Sequence, residues 1–424
     1  MRKTNATMNL TARILLAMGI GSVTGLALRY LTPDSSFVQE YIIDGAFAVV
    51  GNLFIAGLKM LVVPMVFVSL VCGTCSLRDT ARLGRLGIKT LGLYVLTTAL
   101  AVSLALACAA LAGPGQGTNL PAASFVPRQA PGLRDVFSTL LPSNPVRALA
   151  EGNMLQIIVF AVLFGMAITL SGRPGERIAG FFNDANQVIL KLVIIIMNLA
   201  PYGVFCLIAK LFASFGFGTI RSLLSYFVLV IAVLILHCTC IYPVMLSVLA
   251  GLSPRVFFRK IRPALLFAFS TASSNATLPV TLETATRHLG VKNSVAAFTL
   301  PLGATINMDG TAIMQGIATV FIAQVYGIDL VVSQYVTIIL TATLASIGTA
   351  GVPGAGLIML AMVLQQAGLP VEGITLIIGV DRLLDMTRTA VNVTGDCTVS
   401  CIVAKSEGEL EMAVFENGDD SNAT

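Results

Sequence analysis

Long apolar runs constrain this sequence more than any other feature. Six of them lie in the first 250 residues, at 12–31, 41–72, 88–112, 153–171, 188–214 and 222–250. Hydrophobic residues make up 56% of the 424 residues and charged residues only 11%, against about a quarter in soluble domains, so a water-soluble fold has too little polar surface to cover them. Because a membrane-spanning helix needs about 20 apolar residues, the runs predict an all-α integral membrane protein.

The first run follows Arg2 and Lys3, as in a secretory signal peptide, but no small-residue cleavage site comes after it. We therefore interpret it as the first transmembrane helix. The net charge of +5 does not indicate nucleic-acid binding, because the cations flank the apolar runs and form no basic patch interleaved with aromatic residues. The eight cysteines are scattered. Cys72 and Cys75 have the spacing of a metal or redox motif, but we interpret them as small apolar residues of a membrane helix.

Lysine and arginine mark one side of the membrane. They cluster before the first run, between the second and third, after the fourth, after the sixth, and again near Arg287 and Lys292. An even number of crossings separates these clusters, so the positive-inside rule places all of them in the cytoplasm. The sequence thus predicts a multi-pass protein of the cell (inner or cytoplasmic) membrane, with both termini cytoplasmic.

After residue 250, small polar residues and single charges interrupt the apolar runs, which we divide into 256–289, 294–327, 332–369 and 371–405. Cations flank 256–289 at both ends, which predicts a re-entrant hairpin that enters and leaves on one side. The segment 332–369 has no basic flank and is broken by Gly351-Val352-Pro353-Gly354, which predicts a second hairpin from the outside.

Each predicted hairpin is followed by a helix with polar residues midway, so the pattern indicates an inverted repeat. Such repeats are typical of secondary transporters, whose sites form where the repeats meet. Irregular backbone at membrane depth must be packed in protein or line a cavity, so the small polar tips at 270–275 and 346–351 are expected to meet. The tail at 406–424 is acidic and polar, and we predict disorder there.

The motif Asn307-Met308-Asp309-Gly310-Thr311 places a carboxylate inside an apolar helix. A carboxylate at that depth costs ~3 kcal/mol on insertion scales. A bound cation offsets this cost, because carboxylate, amide and backbone carbonyl oxygens are hard ligands, and Gly310 loosens the helix so that carbonyls become free. The alternative is a polar cluster that only packs helices together.

A polar stripe follows on the last helix. Five residues recur at helical spacing and share one face: Asp381, Asp385, Arg388, Asn392 and Asp396. One alternative is that Asp385 and Arg388 simply pair. However, the stripe holds more groups than one pair needs. Arginine offers a planar fork for a carboxylate, and Asp385 suits an ammonium group. Together they describe an acidic amino acid.

The hairpin tips complete the predicted site. Half-helices that point their N-terminal amides inward favour an anion, and Ser274 is placed to hydrogen-bond a substrate carboxylate. Gly351 and Gly354 permit a hairpin that bends, although glycines in membrane helices also serve close packing.

At these residues the sequence resembles the glutamate/aspartate transporter family, the dicarboxylate/amino acid:cation symporters, with the prokaryotic sodium/aspartate symporters closest in pattern. The matching motifs are residues 307–311, residues 346–356, Asp385-Met386-Thr387-Arg388-Thr389 and Asn392-Val393-Thr394-Gly395-Asp396, and a Ser-rich tip before Thr277-Leu278-Pro279 also fits. The resemblance implies eight transmembrane helices, two re-entrant hairpins, a homotrimer and an elevator motion. Residues 1–250 would then hold six helices that include the trimerisation scaffold, with the third and sixth joining the transport core at 251–405.

The resemblance also implies the site residues. Substrate contacts fall on Ser274, Thr311, Val352, Gly356, Asp385, Arg388, Thr389 and Asn392. A first sodium site uses the carbonyls of Gly303, Asn307 and Asn392 together with Asp396. A second uses backbone at Thr305, Ser346, Ile347 and Thr349 with the Met308 sulfur, and a third uses Tyr94, Thr97, Thr98, Asn307 and Asp309. Sodium is co-transported, and no organic cofactor is implied.

The chain departs from the family pattern at three positions. Archaeal members carry an arginine where this chain has Ala272, and animal members carry it at the position of Met386. Arg382, one turn earlier, is a candidate replacement. Proton- and potassium-coupled animal members have a glutamate where this chain has Gln315, which argues against that form of coupling.

The leading hypothesis is sodium-driven uptake of L-aspartate or L-glutamate. Alternatives within the family are a proton-coupled glutamate symporter and a carrier of C4-dicarboxylates or neutral amino acids. A less favoured class is an ion channel. An enzyme is disfavoured, because the sequence contains neither an HExxH motif nor a Ser/His/Asp nucleophile set.

Overall fold

The computed structural model describes residues 10–33, 35–75, 81–117, 141–215, 217–349 and 351–416. Over these ranges the regular structure is helical, and the only β pairing there is an isolated antiparallel bridge between Val291 and Leu410. The predicted all-α class is confirmed.

The described residues among the first 250 form nine α-helices. They are α1 (Leu10–Leu31), α2 (Ala48–Cys75, entered through a π-helix at Val38–Phe47), α3 (Ala81–Ala112), α4 (Pro145–Glu151), α5 (Met154–Leu170), α6 (Arg173–Asn198), α7 (Ala200–Phe215), α8 (Phe217–Leu236) and α9 (Tyr242–Ala250), with a π-helix at His237–Ile241 between the last two. Helix α1 packs along α7, and α2 packs on α5, α6 and α7. Gly21 and Gly25 have the GxxxG spacing and face the backbone of α7, so the two helices approach closely.

The apolar run at 188–214 does not form one helix. Helix α6 spans Arg173–Asn198. Its first half is amphipathic, so that half does not stand out in the sequence as an apolar run. Helix α7 begins at Ala200 with Pro201 in its first turn, where the missing proline N–H has no helical partner to lose.

After residue 250, the part of the chain that the structure describes forms nine further α-helices. They are α10 (Pro254–Lys260), α11 (Arg262–Thr271), α12 (Ser274–Glu283, extended by a π-helix at Thr284–His288), α13 (Asn293–Ile306), α14 (Asp309–Val325), α15 (Val332–Gly348), α16 (Ala355–Gln366), α17 (Ile374–Ser406) and α18 (Met412–Glu416). A short 3₁₀ turn at Val371–Gly373 precedes α17.

Helices α11 and α12 form the first hairpin, and α15 and α16 form the second; in each, the two helices pack against each other. The first hairpin reverses at Ala272, whose φ of +49° is the one positive φ of a non-glycine residue in the described ranges. The tips meet as expected: the Gly351 carbonyl accepts hydrogen bonds from Ser273 Oγ (2.6 Å) and Asn275 N (3.2 Å).

The prediction of one helix over 294–327 is wrong, since the chain leaves helical geometry at Asn307 and Met308. The Ser346 hydroxyl from the second hairpin stabilises this break. It donates to the Ile306 carbonyl (2.9 Å) and accepts from the Met308 N–H (2.8 Å), so two backbone groups that a continuous helix would satisfy find the same partner.

Residues 407–416 are ordered, contrary to the predicted disorder, and residues 417–424 lie outside the described ranges. We call 407–416 the strap. Its Glu411 N–H donates to the Gly290 carbonyl (2.8 Å), its Glu409 carbonyl accepts from the Lys292 N–H (3.0 Å), and its Phe415 side chain is buried. The apolar residues Leu410, Met412 and Phe415 pack into the core, which gives the strap a folded structure despite its acidic composition.

In the described part of the chain, four continuous helical stretches are long and apolar enough to cross a bilayer: Val38–Cys72, Leu86–Ala112, Arg173–Ile196 and Arg221–Ala250. Helix α17, with 33 residues, is long enough to cross but carries four charged residues within eight positions, and α13 and α14 are separated by the break. The count of eight membrane crossings therefore stays a prediction.

Candidate functional site

A polar cavity lies where the two hairpin tips meet the break between α13 and α14 and one face of α17. Its lining consists of Ala272, Ser274, Met308, Thr311, Thr349, Gly351, Val352, Gly356, Asp385, Thr389 and Asn392. It includes seven of the eight residues expected to contact substrate. The eighth, Arg388, lies behind the wall at Gly356, where a Cβ atom would come 3.4 Å from the Arg388 Nη1.

Arg388 is fully buried between two carboxylates. Its Nη2 donates to Asp385 Oδ1 (2.8 Å), and its Nη1 lies 2.9 Å from Asp381 Oδ1. The simple Asp385–Arg388 pair that the spacing allowed is thus present. Asp385 Oδ2 also accepts from the Gly354 N–H (3.1 Å) at the second hairpin tip, so one carboxylate joins the arginine to the hairpin.

Arg382 adds a second cation, with its Nη1 3.5 Å from Asp385 Oδ2. Asp381, Arg382, Asp385 and Arg388 therefore form a four-residue network of two acids and two bases, each under 9% exposed. Burying single charges costs several kcal/mol each, and opposite charges at short distance offset part of that cost. Arg382 therefore lies beside Asp385, and its role as a replacement for the arginine absent at Ala272 and Met386 stays a prediction.

Asp309 lies below this network at the start of α14, with its carboxylate surrounded by hydroxyl groups. Oδ1 accepts from Thr98 Oγ1 (2.6 Å) and lies 3.3 Å from Thr97 Oγ1, and Oδ2 accepts from the Tyr242 hydroxyl (2.9 Å). Thr97 Oγ1 also lies 3.2 Å from the Asn307 Oδ1. Four of the five residues predicted for the third sodium site therefore meet at this point.

Tyr94, the fifth, contributes differently. Its backbone carbonyl accepts from Thr97 Oγ1 (3.0 Å), while its hydroxyl donates to the Thr299 carbonyl (2.9 Å). The cluster is built from carboxylate, amide, hydroxyl and carbonyl oxygens, which are ligands suited to a hard cation.

Asp396 lies on the polar face of α17, about one helical turn after Asn392. Its Oδ1 accepts from Asn307 Nδ2 (3.0 Å), and it faces the backbone of Gly303, where a side chain would collide with Asp396 and with the Tyr94 hydroxyl. Three residues predicted for the first sodium site are thus adjacent. The Asn392 side chain is engaged elsewhere, because its Oδ1 accepts from the Gly310 N–H (2.7 Å), and the predicted ligand role of the Asn392 backbone carbonyl stays a prediction.

The residues predicted for the second sodium site surround the break in the helix. Ser346 and Met308 are hydrogen-bonded to each other, and the Thr349 N–H donates to the Ser346 carbonyl (3.3 Å). Ile347 follows Ser346 in α15, half-buried. The Thr305 hydroxyl donates to the Leu302 carbonyl of its own helix (2.9 Å), which leaves only its backbone for a ligand role.

Sequence reasoning missed two aromatic side chains that complete the Asp309 cluster. Besides Tyr242, the fully buried His237 places its Nε2 3.6 Å from Asp309 Oδ2. Both residues belong to the run at 222–250, and a polar side chain in an otherwise apolar run was the available signal. Sequence reasoning also missed Ser273, which ties the two hairpin tips together.

The family model described as "Sodium:dicarboxylate symporter family" matches residues 10–406. The chain belongs to this family. It is therefore a symporter-type membrane transporter and not an enzyme.

Three relatives illustrate the range of the family. The chain is 34% identical to the proton/glutamate-aspartate symporter of Escherichia coli (strain K12), covering 96% of this chain and 95% of the relative. It is 34% identical to the proton/sodium-glutamate symport protein of Bacillus subtilis (strain 168), covering 88% and 90%. It is 32% identical to the C4-dicarboxylate transport protein of the same organism, covering 96% and 95%. The family likeness thus spans several substrates and coupling ions.

Proposed function

We propose that this protein takes up an acidic amino acid, L-aspartate or L-glutamate, driven by the sodium gradient across the cell membrane. The observation that carries the proposal is the pairing of Asp385 with Arg388 at the wall of a polar cavity that is lined by two hairpin tips. Opposite charges side by side match a substrate with an ammonium group and a side-chain carboxylate.

Substrate binding would proceed by exchange of partners. The substrate ammonium takes Asp385, and the Arg388 Nη2 released from Asp385 then donates to the substrate's side-chain carboxylate. Ser274, Thr311, Thr389 and Asn392 line the same cavity and offer hydroxyl and amide groups for the α-carboxylate and the ammonium. A C4-dicarboxylate has no ammonium for Asp385, which favours an amino acid.

Cation binding would use the two acids below the cavity. Asp396 accepts a hydrogen bond from Asn307, and Thr97 lies within hydrogen-bond distance of both Asn307 and Asp309. The predicted cation sites at Asp309 and Asp396 are therefore coupled through Asn307. The backbone N–H of Met308, the residue between Asn307 and Asp309, donates a hydrogen bond to Ser346 of the second hairpin. A cation that orders this break would therefore also order the hairpin that closes the cavity.

The domain organisation that we propose rests on the resemblance to the family and not on the geometry of the site. Residues 1–250 include a trimerisation scaffold, with the third and sixth transmembrane helices joined to a transport core at 251–405 that moves like an elevator. The protein would be a homotrimer with both termini in the cytoplasm.

The test is uptake of labelled aspartate into proteoliposomes. Uptake that requires an inward sodium gradient, and that persists when the proton gradient is dissipated, is the expected result. Uptake that follows the proton gradient and ignores sodium would support the proton-coupled alternative. Competition by glutamate, succinate and serine separates the substrate classes, and the proposal expects glutamate to compete and succinate to fail.

Arg388→Lys tests the role of the guanidinium. Lysine keeps a positive charge beside Asp381 and Asp385 but loses the planar fork. We expect the KM for aspartate to rise about tenfold or more, with a smaller change in the inhibition constant of the neutral isostere asparagine. An equal change for both ligands would contradict the assigned role.

A further inference from the structure

The strap is a folded segment that lies beyond the family match. The family model matches residues 10–406, and the strap begins at Glu407. Its backbone has a fixed place, because Leu410 pairs with Val291 in an antiparallel bridge and the Phe415 side chain is only 1% exposed. The residues that the strap contacts indicate what it does.

The strap bonds the start of the first hairpin. The first arm of this hairpin, α11, begins two residues after Lys260, the last residue of α10. The Lys260 side chain is buried, and its Nζ donates to the Val414 carbonyl of the strap (2.5 Å). A buried ammonium group is unfavourable unless it is hydrogen-bonded, so this bond favours the docked strap.

The strap also bonds the end of the second arm, where Gly290 and Lys292 follow α12 and its π-helical extension. The Gly290 carbonyl accepts from the Glu411 N–H (2.8 Å). The Lys292 N–H donates to the Glu409 carbonyl (3.0 Å), and the Lys292 Nζ lies 3.0 Å from Glu409 Oε2. Gly290 has a φ of +73°, and a Cβ atom there would lie 2.5 Å from the Glu411 carbonyl oxygen, so glycine is what lets the strap approach this closely.

The strap therefore crosses the base of the first hairpin and is bonded to both of its arms. At the opposite end of the hairpin, Ala272 and Ser274 line the polar cavity. Helix α12 begins at Ser274, and its ten residues span about 15 Å. Because so short a helix moves as a rigid rod, a displacement of its base also displaces Ser274.

A third contact fixes the strap where it leaves α17. Its first residue, Glu407, forms an ion pair with Lys89 on α3. Helix α3 also carries Thr97 and Thr98, which surround Asp309. The strap thus connects the end of α17 to α3 and to the first hairpin, three elements that build the site.

The second hairpin is joined at its base in another way. Gln334 Nε2, at the start of α15, donates to the Ala367 carbonyl just after α16 (2.9 Å), so its two arms bond each other directly. This hairpin serves as an internal reference for the effect of the strap.

We propose that the strap is a clasp that holds the two arms of the first hairpin together at their base and so keeps the substrate cavity closed on the side from which this hairpin enters. The positive-inside rule predicts that this side is the cytoplasm. The clasp itself does not depend on the substrate, whereas the leak measured below rests on the proposed function.

Hydrogen exchange on the purified full-length protein tests the clasp. Phe415→Ala removes the buried anchor, so exchange in α11 and α12 should rise about tenfold, while exchange in α15 and α16 should stay the same. Phe415→Leu keeps an apolar anchor and should retain the protection. Glu416→Gln, at the exposed neighbouring side chain, is the matched control and should change neither hairpin.

Lys260→Met is a second variant that acts at a separate contact. It keeps an apolar stem but removes the donor to Val414, so exchange in α11 and α12 should again rise selectively. Loss of protection in the strap with unchanged exchange in α11 and α12 would overturn the proposal. Equal increases in both hairpins would also overturn it, because they would indicate a general loss of stability.

Efflux from proteoliposomes tests the closure of the cavity. The vesicles are loaded with labelled aspartate and sodium is omitted on both sides, so a closed symporter retains the label. The efflux rate, corrected for protein-free vesicles, is divided by the sodium-driven initial uptake rate of the same preparation. We expect this ratio to rise at least fivefold in Phe415→Ala and in Lys260→Met. A protein that is only destabilised loses uptake without gaining efflux, and an unchanged ratio would overturn the proposal.

The wild-type protein separates the two levels of failure. If it does not transport aspartate, the proposed function fails, while hydrogen exchange in α11 and α12 still decides whether the strap holds the hairpin. If it transports aspartate and the strap variants change neither the exchange nor the efflux ratio, only the role of the strap fails.

Discussion

Gly303 is the position where one added methyl group should most directly perturb the cation sites. It lies in α13, and its backbone faces Asp396 and Tyr94. In Gly303→Ala the new Cβ would lie 2.5 Å from the Tyr94 hydroxyl and 2.7 Å from Asp396 Cγ. Neither neighbour is free to swing away, because the Tyr94 hydroxyl is bonded to the Thr299 carbonyl and Asp396 Oδ1 to Asn307.

The size of the effect follows from these contacts. Ordinary Cβ contacts begin near 3.4 Å, so the Tyr94 hydroxyl or the backbone must move by about 0.9 Å. Overpacking of this kind costs about 1–3 kcal/mol, and the gain in helix propensity on replacing glycine returns at most about 1 kcal/mol. If this strain of a few kcal/mol shifts the groups that bind the cation, the affinity for the cation falls roughly 5- to 150-fold.

The assay is the half-saturating sodium concentration for aspartate uptake in proteoliposomes. Gly303→Ala should raise it at least fivefold, and saturating sodium should restore much of the uptake. Gly92→Ala is the matched control, because this glycine is on the same helix as Tyr94 and an added Cβ there meets nothing within 4 Å. An unchanged sodium requirement in a normally folded Gly303→Ala protein would refute the placement of a cation beside Asp396.

Two further predictions concern the supports of the site. Ser346→Ala leaves the Ile306 carbonyl and the Met308 N–H without their shared partner, so we expect a loss of roughly 1–3 kcal/mol in the free energy of unfolding. The control Ser270→Ala removes an exposed hydroxyl that bonds to Leu266 of its own helix, and it should have no measurable effect. Equal Tm values for the two variants would contradict this prediction. Phe415→Ala removes the buried anchor of the strap. The Glu411 and Lys292 amides should then lose their protection from hydrogen exchange, while exchange in α14 is unaffected. Retained protection at both amides would contradict this, because the backbone bonds alone would then hold the strap.

Much of the candidate site could be predicted because charged residues inside apolar helices have few explanations. The spacing of the stripe on α17 placed Asp381, Asp385 and Arg388 on one face, and all three are buried there in one network. The basic flanks and the glycine-rich break predicted two hairpins with adjoining tips, and Ser273 and Gly351 join them.

What could not be predicted depends on contacts between distant segments. The break at Asn307 and Met308 is stabilised by Ser346, 38 residues from Met308, and no local pattern signals such a partner. The strap was predicted to be disordered from its charge, but its fold depends on a few apolar side chains such as Phe415 that fit an existing core.

The most direct test of the central claim is aspartate uptake into proteoliposomes with the sodium gradient imposed inward, outward or absent, at constant pH on both sides. The account predicts concentrative uptake with the inward gradient alone, and its abolition in Asp309→Asn, where the carboxylate that contacts Thr98 and Tyr242 loses its charge. Concentrative uptake that persists without sodium, or that Asp309→Asn leaves intact, would contradict it.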